Sequence, residues 1–189
     1  MKIGLFFGSF NPIHTGHLII ANYILNLSVD KVWFIVSPQN PFKQPAALLN
    51  PIQRLNLVKL VTEDDDRFEV SDIEFQLPLP SYTIKTLETL SESFTQHDFY
   101  LILGSDNYLD IPKWKSSSEI LNNYKILVYE RPGYKLDRDI TGDNITFLQA
   151  PLLDISSTLI RELLSKNKNI RYLVPDKVYN AIETNGFYK

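Results

Sequence analysis

The sequence predicts an α/β fold, a doubly wound parallel sheet with crossover helices, and three observations carry that prediction. Four runs, KIGLFF at 2–7, VWFIV at 32–36, FYLILG at 99–104 and KILVYE at 125–130, are continuously apolar. Strands buried on both faces look like this, whereas half-exposed strands alternate. The runs are separated by stretches with apolar residues at helical spacing, and strand–helix alternation means parallel pairing. With 189 residues, 44% of them apolar, the chain has enough material for one substantial core. A single domain over 1–189 is expected, with a helical C-terminal portion from about 156.

Taken in order, the strand at 2–7 leads to a helix from His14 to Leu27, with Leu18, Ala21, Ile24 and Leu25 at helical spacing. After the strand at 32–36, Asn50 is a helix cap and Pro51 a first helical residue, followed by Leu55, Val58 and Leu60. RFEVS at 67–71 and ITFLQ at 145–149 are weaker strands. Helices are also expected from Thr83 to Leu90, in SSSEIL at 116–121, in SSTLIRELL at 156–164, and from Pro175 to Thr184. The Pro-rich segments 38–49 and 72–82 read as loops, and in open α/β sheets loops at strand ends carry ligands.

Composition excludes several classes. A formal charge of −3 and no basic stripe argue against a nucleic acid polymer as ligand, although a small anion needs only a local positive site. The absence of cysteine excludes disulfides and thiolate metal sites. The N-terminal apolar run is too short for a signal segment or a membrane span. A soluble cytoplasmic protein without a membrane partner is expected, and a homo-oligomer is allowed.

The segment GSFNPIHTGH, residues 8–17, holds two of the three histidines at the end of the first strand. Gly8 lets the backbone bend or approach a ligand, and Asn11-Pro12 starts a turn. His14 lies near a helix N-terminus, Gly16 leaves the first turn bare, and His17 falls on the face of His14. Free N–H groups, a partial positive charge and two imidazoles make an anion site. The competing reading is a surface helix with incidental histidines, and the density of special residues in one turn weighs against it. Histidines three apart do not fit a zinc helix, and neither a P-loop nor a dinucleotide fingerprint is present. In ISSTLIRELL, 155–164, Ser156 is placed as an N-cap, with Thr158 and Arg161 following. That suits a polyphosphate, although an ordinary Ser-capped amphipathic helix has the same pattern.

His14-Thr15-Gly16-His17 resembles the H-x-G-H signature of the nucleotidyltransferase superfamily, and Ser156, Thr158 and Arg161 resemble its S-x-T-x-x-R box. PSYTIKTL at 80–87, Gly104-x-Asp106 with Trp114 further on, and RPG at 131–133 are similar to segments of bacterial nicotinate mononucleotide adenylyltransferases. The resemblance runs from residue 2 to about 184. Two departures are Phe7 and Asn11, where the family typically has Gly and Asp.

The resemblance implies a Rossmann-like nucleotidyltransferase fold and transfer of AMP from ATP to nicotinate mononucleotide, with Mg2+ arriving on ATP. His14, His17 and Arg161 are the implied catalytic residues. Gly8, Ser9, Phe10, Gly16, Ile155, Ser156 and Thr158 would join them around ATP. On the mononucleotide side it implies Asn11, Lys43, Ser81, Tyr82, Thr83, Gly104, Asp106, Trp114 and Arg131. Trp114 would stack on the pyridine ring, with packing as the competing reading, and Trp33 inside a strand is read as core. A phosphate nucleophile is already ionised near neutral pH, so no general base is needed. Alternative readings are an adenylyltransferase for nicotinamide mononucleotide or for phosphopantetheine, and a non-catalytic nucleotide-binding module.

Overall fold

The computed structural model describes residues 1–39, 48–136 and 144–188. Six parallel strands form: β1 (Lys2–Gly8), β2 (Lys31–Val36), β3 (Phe68–Ser71), β4 (Asp98–Gly104), β5 (Lys125–Tyr129) and β6 (Ile145–Leu148). Their order is β3-β2-β1-β4-β5-β6, with Leu5 of β1 opposite Trp33 on one side and Leu101 on the other. Both weaker segments are therefore strands, each at a sheet edge beyond the four apolar ones. The order reverses between β1 and β4, and in such sheets the crevice beyond the carboxyl ends at the reversal receives ligands.

The helices are α1 (Thr15–Leu27), α2 (Pro51–Thr62), α3 (Thr83–Ser93), α4 (Ser105–Asp110), α5 (Ser117–Asn123), α6 (Ser157–Ser165) and α7 (Asp176–Asn185). Asn50 caps α2 by accepting from the Ile52 N–H at 2.9 Å, and Pro51 takes the first position, where a missing N–H costs nothing. Short α4 and two 3-10 turns, Ile73–Phe75 and Ile111–Lys113, stand where the sequence reads only as loop. Pieces of three to six residues show no apolar period, and Pro112 stops any longer helix.

Strand side chains alternate, so the sheet separates two cores. Phe6, Phe34, Ile102 and Leu127 face the side covered by α1, α2, α6 and α7. Ile3, Leu5, Ile35, Leu101 and Val128 face the side covered by α3 and α5. Trp33 belongs to the second core, as its place in a buried strand predicts, and Phe7 packs half-buried at that core's edge. No helix among the described residues is long and apolar enough to cross a membrane.

Candidate active site

The loop after β1 is held by a buried arginine. Arg54, on α2, is fully buried. Its Nε donates to the Leu49 carbonyl at 3.0 Å, Nη1 to the carbonyls of Ser9 and of Ser37 (2.9 Å), and Nη2 to that of Pro38 at 2.8 Å. One guanidinium thus ties the segments after β1 and β2 to the start of α2. Asn11, also buried, accepts the Leu49 N–H on its side-chain oxygen at 2.9 Å. Its amide serves the loop in this way, although the sequence reading places it among the mononucleotide ligands.

Packing explains two residues of this loop that the sequence reading places around ATP. Phe10 adopts φ +45 and folds its ring back into the first core, against Phe6, Phe34 and His17. It is 2% exposed, so its side chain is core. Such a conformation costs on the order of 1–3 kcal/mol in a non-glycine residue and persists where packing over-determines it. Gly8 is bare for the same reason. A Cβ there would stand 2.8 Å from the Phe10 ring, so the bare position makes room for Phe10.

His14 and His17 meet at the head of α1. Their rings stack with centroids 3.7 Å apart and planes at 27°. His14 is the N-cap residue, and its backbone N–H donates to Nδ1 of His17 at 3.2 Å. That bond fixes the neutral His17 ring with its proton on Nε2, a donor. His14 is buried, and burial first and the Arg131 charge second lower its pKa to about 3. It is therefore neutral at physiological pH. A Cβ on Gly16 would lie 3.0 Å from Nδ1 of His14, so the bare first turn makes room for that ring.

Arg131, just past β5, donates to Oδ2 of Asp106 at 2.8 Å, and its backbone N–H donates to the buried Ser105 hydroxyl at 2.9 Å. Gly104 ends β4 immediately beneath them. A Cβ there would fall 2.5 Å from Oδ1 of Asp106 and 2.7 Å from Cδ of Arg131. Gly104 thus gives room to this ion pair. Tyr129, at the end of β5, is pushed by burial to about 12 and stays a neutral phenol. A cleft lined by His14, Gly16, His17, Tyr129, Arg131 and Ile155 opens at this point.

The chain before α6 lines the cleft through Ile155, and α6 begins two residues further on at Ser157. Ser156 caps the helix, its hydroxyl accepting from the Leu159 N–H at 3.2 Å. Ser157 donates to the Pro12 carbonyl at 2.9 Å, and Nη1 of Arg161 donates to the Asn11 carbonyl at 2.8 Å. Nη2 of Arg161 reaches the exposed Thr158 hydroxyl at 3.3 Å. The two segments, about 150 residues apart in sequence, are therefore bonded to each other. Ser9 Oγ, His14 Nδ1 and Asp106 Oδ1 are buried and have no hydrogen-bond partner among the described residues. Each such atom costs about 1–3 kcal/mol unless something satisfies it. All three lie just beyond β1 and β4, at the reversal of the sheet.

The acceptor segments lie over the second core. Ser81 donates to the Gln39 carbonyl at 3.3 Å, Tyr82 is the N-cap residue of α3, and Thr83 opens the helix. Lys115 Nζ stands 4.5 Å from the centre of the Tyr82 ring. Trp114 follows the second 3-10 turn as its C-cap residue, half-buried and packed against the second core. Lys43 lies outside the described residues.

Comparison with known proteins decides the family. Residues 5–163 match the cytidylyltransferase-like family model. A protein of Flavobacterium psychrophilum named as a probable nicotinate-nucleotide adenylyltransferase is 47% identical over 192 residues, covering 100% of both chains. One of Bacteroides fragilis with the same name is 48% identical, covering 96% of this chain and 90% of the relative. The chain belongs to the nicotinate-nucleotide adenylyltransferase family. In fold it is also similar to the Plasmodium falciparum nicotinic acid mononucleotide adenylyltransferase complexed with NaAD. That match has TM-score 0.85, 23% identity, and coverage of 99% of this chain and 97% of the other.

In this family member four polar residues around the site escaped the sequence reading: Arg54, Ser105, Ser157 and Glu74. Glu74 is buried and accepts from the Thr86 hydroxyl at 3.0 Å, tying the 72–82 segment to α3. Arg54 left a signal, since it shares a helical face with Val58 and Thr62 at spacings of four, and both are buried. Ser105, Ser157 and Glu74 left none that their neighbours in sequence reveal.

Proposed function

We propose that this protein transfers the AMP moiety of ATP to nicotinate mononucleotide, giving nicotinate adenine dinucleotide and pyrophosphate in NAD biosynthesis. The observation that carries the reading is the stacked His14–His17 pair at the reversal of the sheet, bonded through the 8–13 loop to Arg161, in a chain 47–48% identical to two proteins of this name. Residues 1–189 act as one nucleotidyltransferase domain. The substrates are cytoplasmic metabolites, and a cytoplasmic location follows from them.

In the reaction a phosphate oxygen of the mononucleotide attacks the α-phosphorus of ATP. The new P–O bond forms as the bond from the α-phosphorus to the bridging oxygen breaks, and the electron pair leaves with pyrophosphate. The nucleophile is ionised, so protein groups need only position two anions and neutralise developing charge. His17, a donor at Nε2, takes the bridging oxygen. Neutral His14 binds the phosphates beside it without adding a buried charge. The α6 N-terminus, Ser156, Thr158 and Arg161 take the β- and γ-phosphates, whose Mg2+ enters with ATP. Ser9 and Lys43 receive the phosphate of the acceptor, Asp106 a ribose hydroxyl, and Trp114 the pyridine ring, with N–H groups near Tyr82 and Thr83 reading its carboxylate.

Pyrophosphate release with ATP and each of three acceptors tests the reading. Nicotinate mononucleotide should be used at least about tenfold better than the nicotinamide compound, because a site built for one polar group rejects its analogue. Phosphopantetheine should give no release. Equal use of acid and amide would end the acceptor assignment, and no release with any acceptor would end the enzyme reading.

A further inference from the structure

Tyr82 and Trp114, the two aromatic residues of the acceptor side, are joined by a charge that the chemistry above leaves unused. Tyr82 is the N-cap residue of α3, and the N–H groups of Thr83 and Ile84 after it have no carbonyl within the helix to donate to. Both Tyr82 and Trp114 pack half-buried against the second core. Lys115, the residue after Trp114, places Nζ 4.5 Å from the centre of the Tyr82 ring. It thus links the turn that carries Trp114 to the head of α3. The backbone on either side is specific. Trp114 is extended (φ −79, ψ 151), and Ser116 takes a left-handed φ of +54, uncommon for a residue with a side chain. The lysines nearest in sequence to these elements differ in their partners. Lys85, on the first turn of α3, meets Glu88 at 2.6 Å, and Lys113 meets Asp110 at 2.6 Å. Among the described residues the exposed Lys115 meets the Tyr82 ring and no carboxylate.

We propose that Lys115 is a specificity-determining residue for the acceptor, supplying a positive charge to the carboxylate of nicotinate. A cation over an exposed aromatic face is held weakly, so the ammonium is free to turn toward an anion. A pyridine ring on Trp114 with its substituent toward α3 brings that substituent between the helix N–H groups and the ammonium. There the acid presents a full negative charge, and a hydrogen bond between two charged groups is stronger than one to a neutral amide. Both mononucleotides carry the same phosphate, so the charge on the ring substituent is what Lys115 separates. The inference rests on the acceptor reading proposed above, in which Trp114 and the start of α3 hold nicotinate.

The test compares kcat/KM for nicotinate and nicotinamide mononucleotide, read as pyrophosphate release at saturating ATP, in wild type, Lys115→Met and Lys115→Arg. Lys115→Met should lower the acid-to-amide ratio about three- to fivefold, the scale of an exposed charge pair. The loss should lie in KM for the acid, with KM for ATP and the melting temperature unmoved. Lys115→Arg keeps a cation that can stack on Tyr82, so it should keep the ratio. High salt should shrink the difference between wild type and Lys115→Met, because exposed charges are screened. A ratio unmoved by Lys115→Met, an equal loss for both acceptors, a loss shared by Lys115→Arg, indifference to salt, or failure to fold would each overturn the proposal. The two readings fail in different ways. Wild type that uses acid and amide alike ends the acceptor reading and this inference with it. A clear preference for the acid that survives Lys115→Met ends this inference alone.

Discussion

His14 and His17 stack ring on ring, yet their surroundings make them chemically unequal. His14 is held neutral by burial and by Arg131, whereas His17 has its tautomer set by the His14 N–H. His17 is thus the group that can follow charge onto the leaving oxygen. His17→Ala should lower kcat by about 10²- to 10³-fold with little change in KM, the pattern of a donor that acts in the transition state. Steady-state pyrophosphate release reads this directly, and an unchanged kcat removes His17 from the chemistry. The neutral state of His14 also has a stability consequence. Its pKa lies near 3 folded and at the ordinary 6.5 unfolded, so between those values the unfolded chain binds more protons. Stability from this group is complete above pH 6.5 and declines as pH falls toward 3. Melting temperatures should therefore drop less steeply below pH 6.5 in His14→Gln than in wild type. Parallel curves would mean that His14 is not buried as a neutral ring.

At the scale of elements, two arginines on two helices bind one loop in different ways. Arg54 is sealed inside and reaches four carbonyls, while Arg161 is half-buried, with its fork on the Asn11 carbonyl and the Thr158 hydroxyl. Arg54→Met would leave four carbonyls without their donor. It should cost at least about 3 kcal/mol, given about 1–3 for each polar group left unpaired. The melting temperature should then fall by roughly 6–12 °C for a chain of this size. Arg161→Lys keeps the charge and loses the two-pronged geometry, so ATP binding should weaken about tenfold with the melting temperature almost unmoved. A large thermal loss with normal ATP affinity would make α6 an ordinary capped helix. These elements were largely legible in the sequence, because strands buried on both faces write continuous apolar runs, and Asn50-Pro51 and Ser156 write their own caps. Short α4 was not, since six residues show no period. Nor was the Phe10 turn: a phenylalanine between Ser9 and Asn11-Pro12 reads as a loop residue, and its burial with the ring over Gly8 reveals it as core. The histidines and Arg161 could be named from local pattern. That Asn11 accepts from Leu49 depends on a contact across 38 residues, which no local pattern encodes.

At the scale of the whole molecule, the sheet keeps two cores apart, and the two halves of the site are built on different ones. His17 and α6 ride on the first core, whereas Tyr82 and Trp114 pack on the second. Damage to one half should therefore spare binding at the other. Trp114 gives the cleanest trial, because it is half-buried and ends a short 3-10 turn instead of standing inside a strand like Trp33. Trp114→Ala should weaken binding of nicotinate mononucleotide by about 1–3 kcal/mol, the usual worth of an aromatic ring stacked on a base. ATP affinity should not change. Acid should still be preferred to amide, since stacking is blind to that substituent and the N–H groups at the start of α3 are untouched. Calorimetry with each ligand, together with a melting curve, separates the outcomes. Weakened binding of both substrates would mean that the halves are mechanically coupled through β1 and β4. Lost folding would mean that the indole belongs to the second core alone, and the pyridine ring would then need another surface.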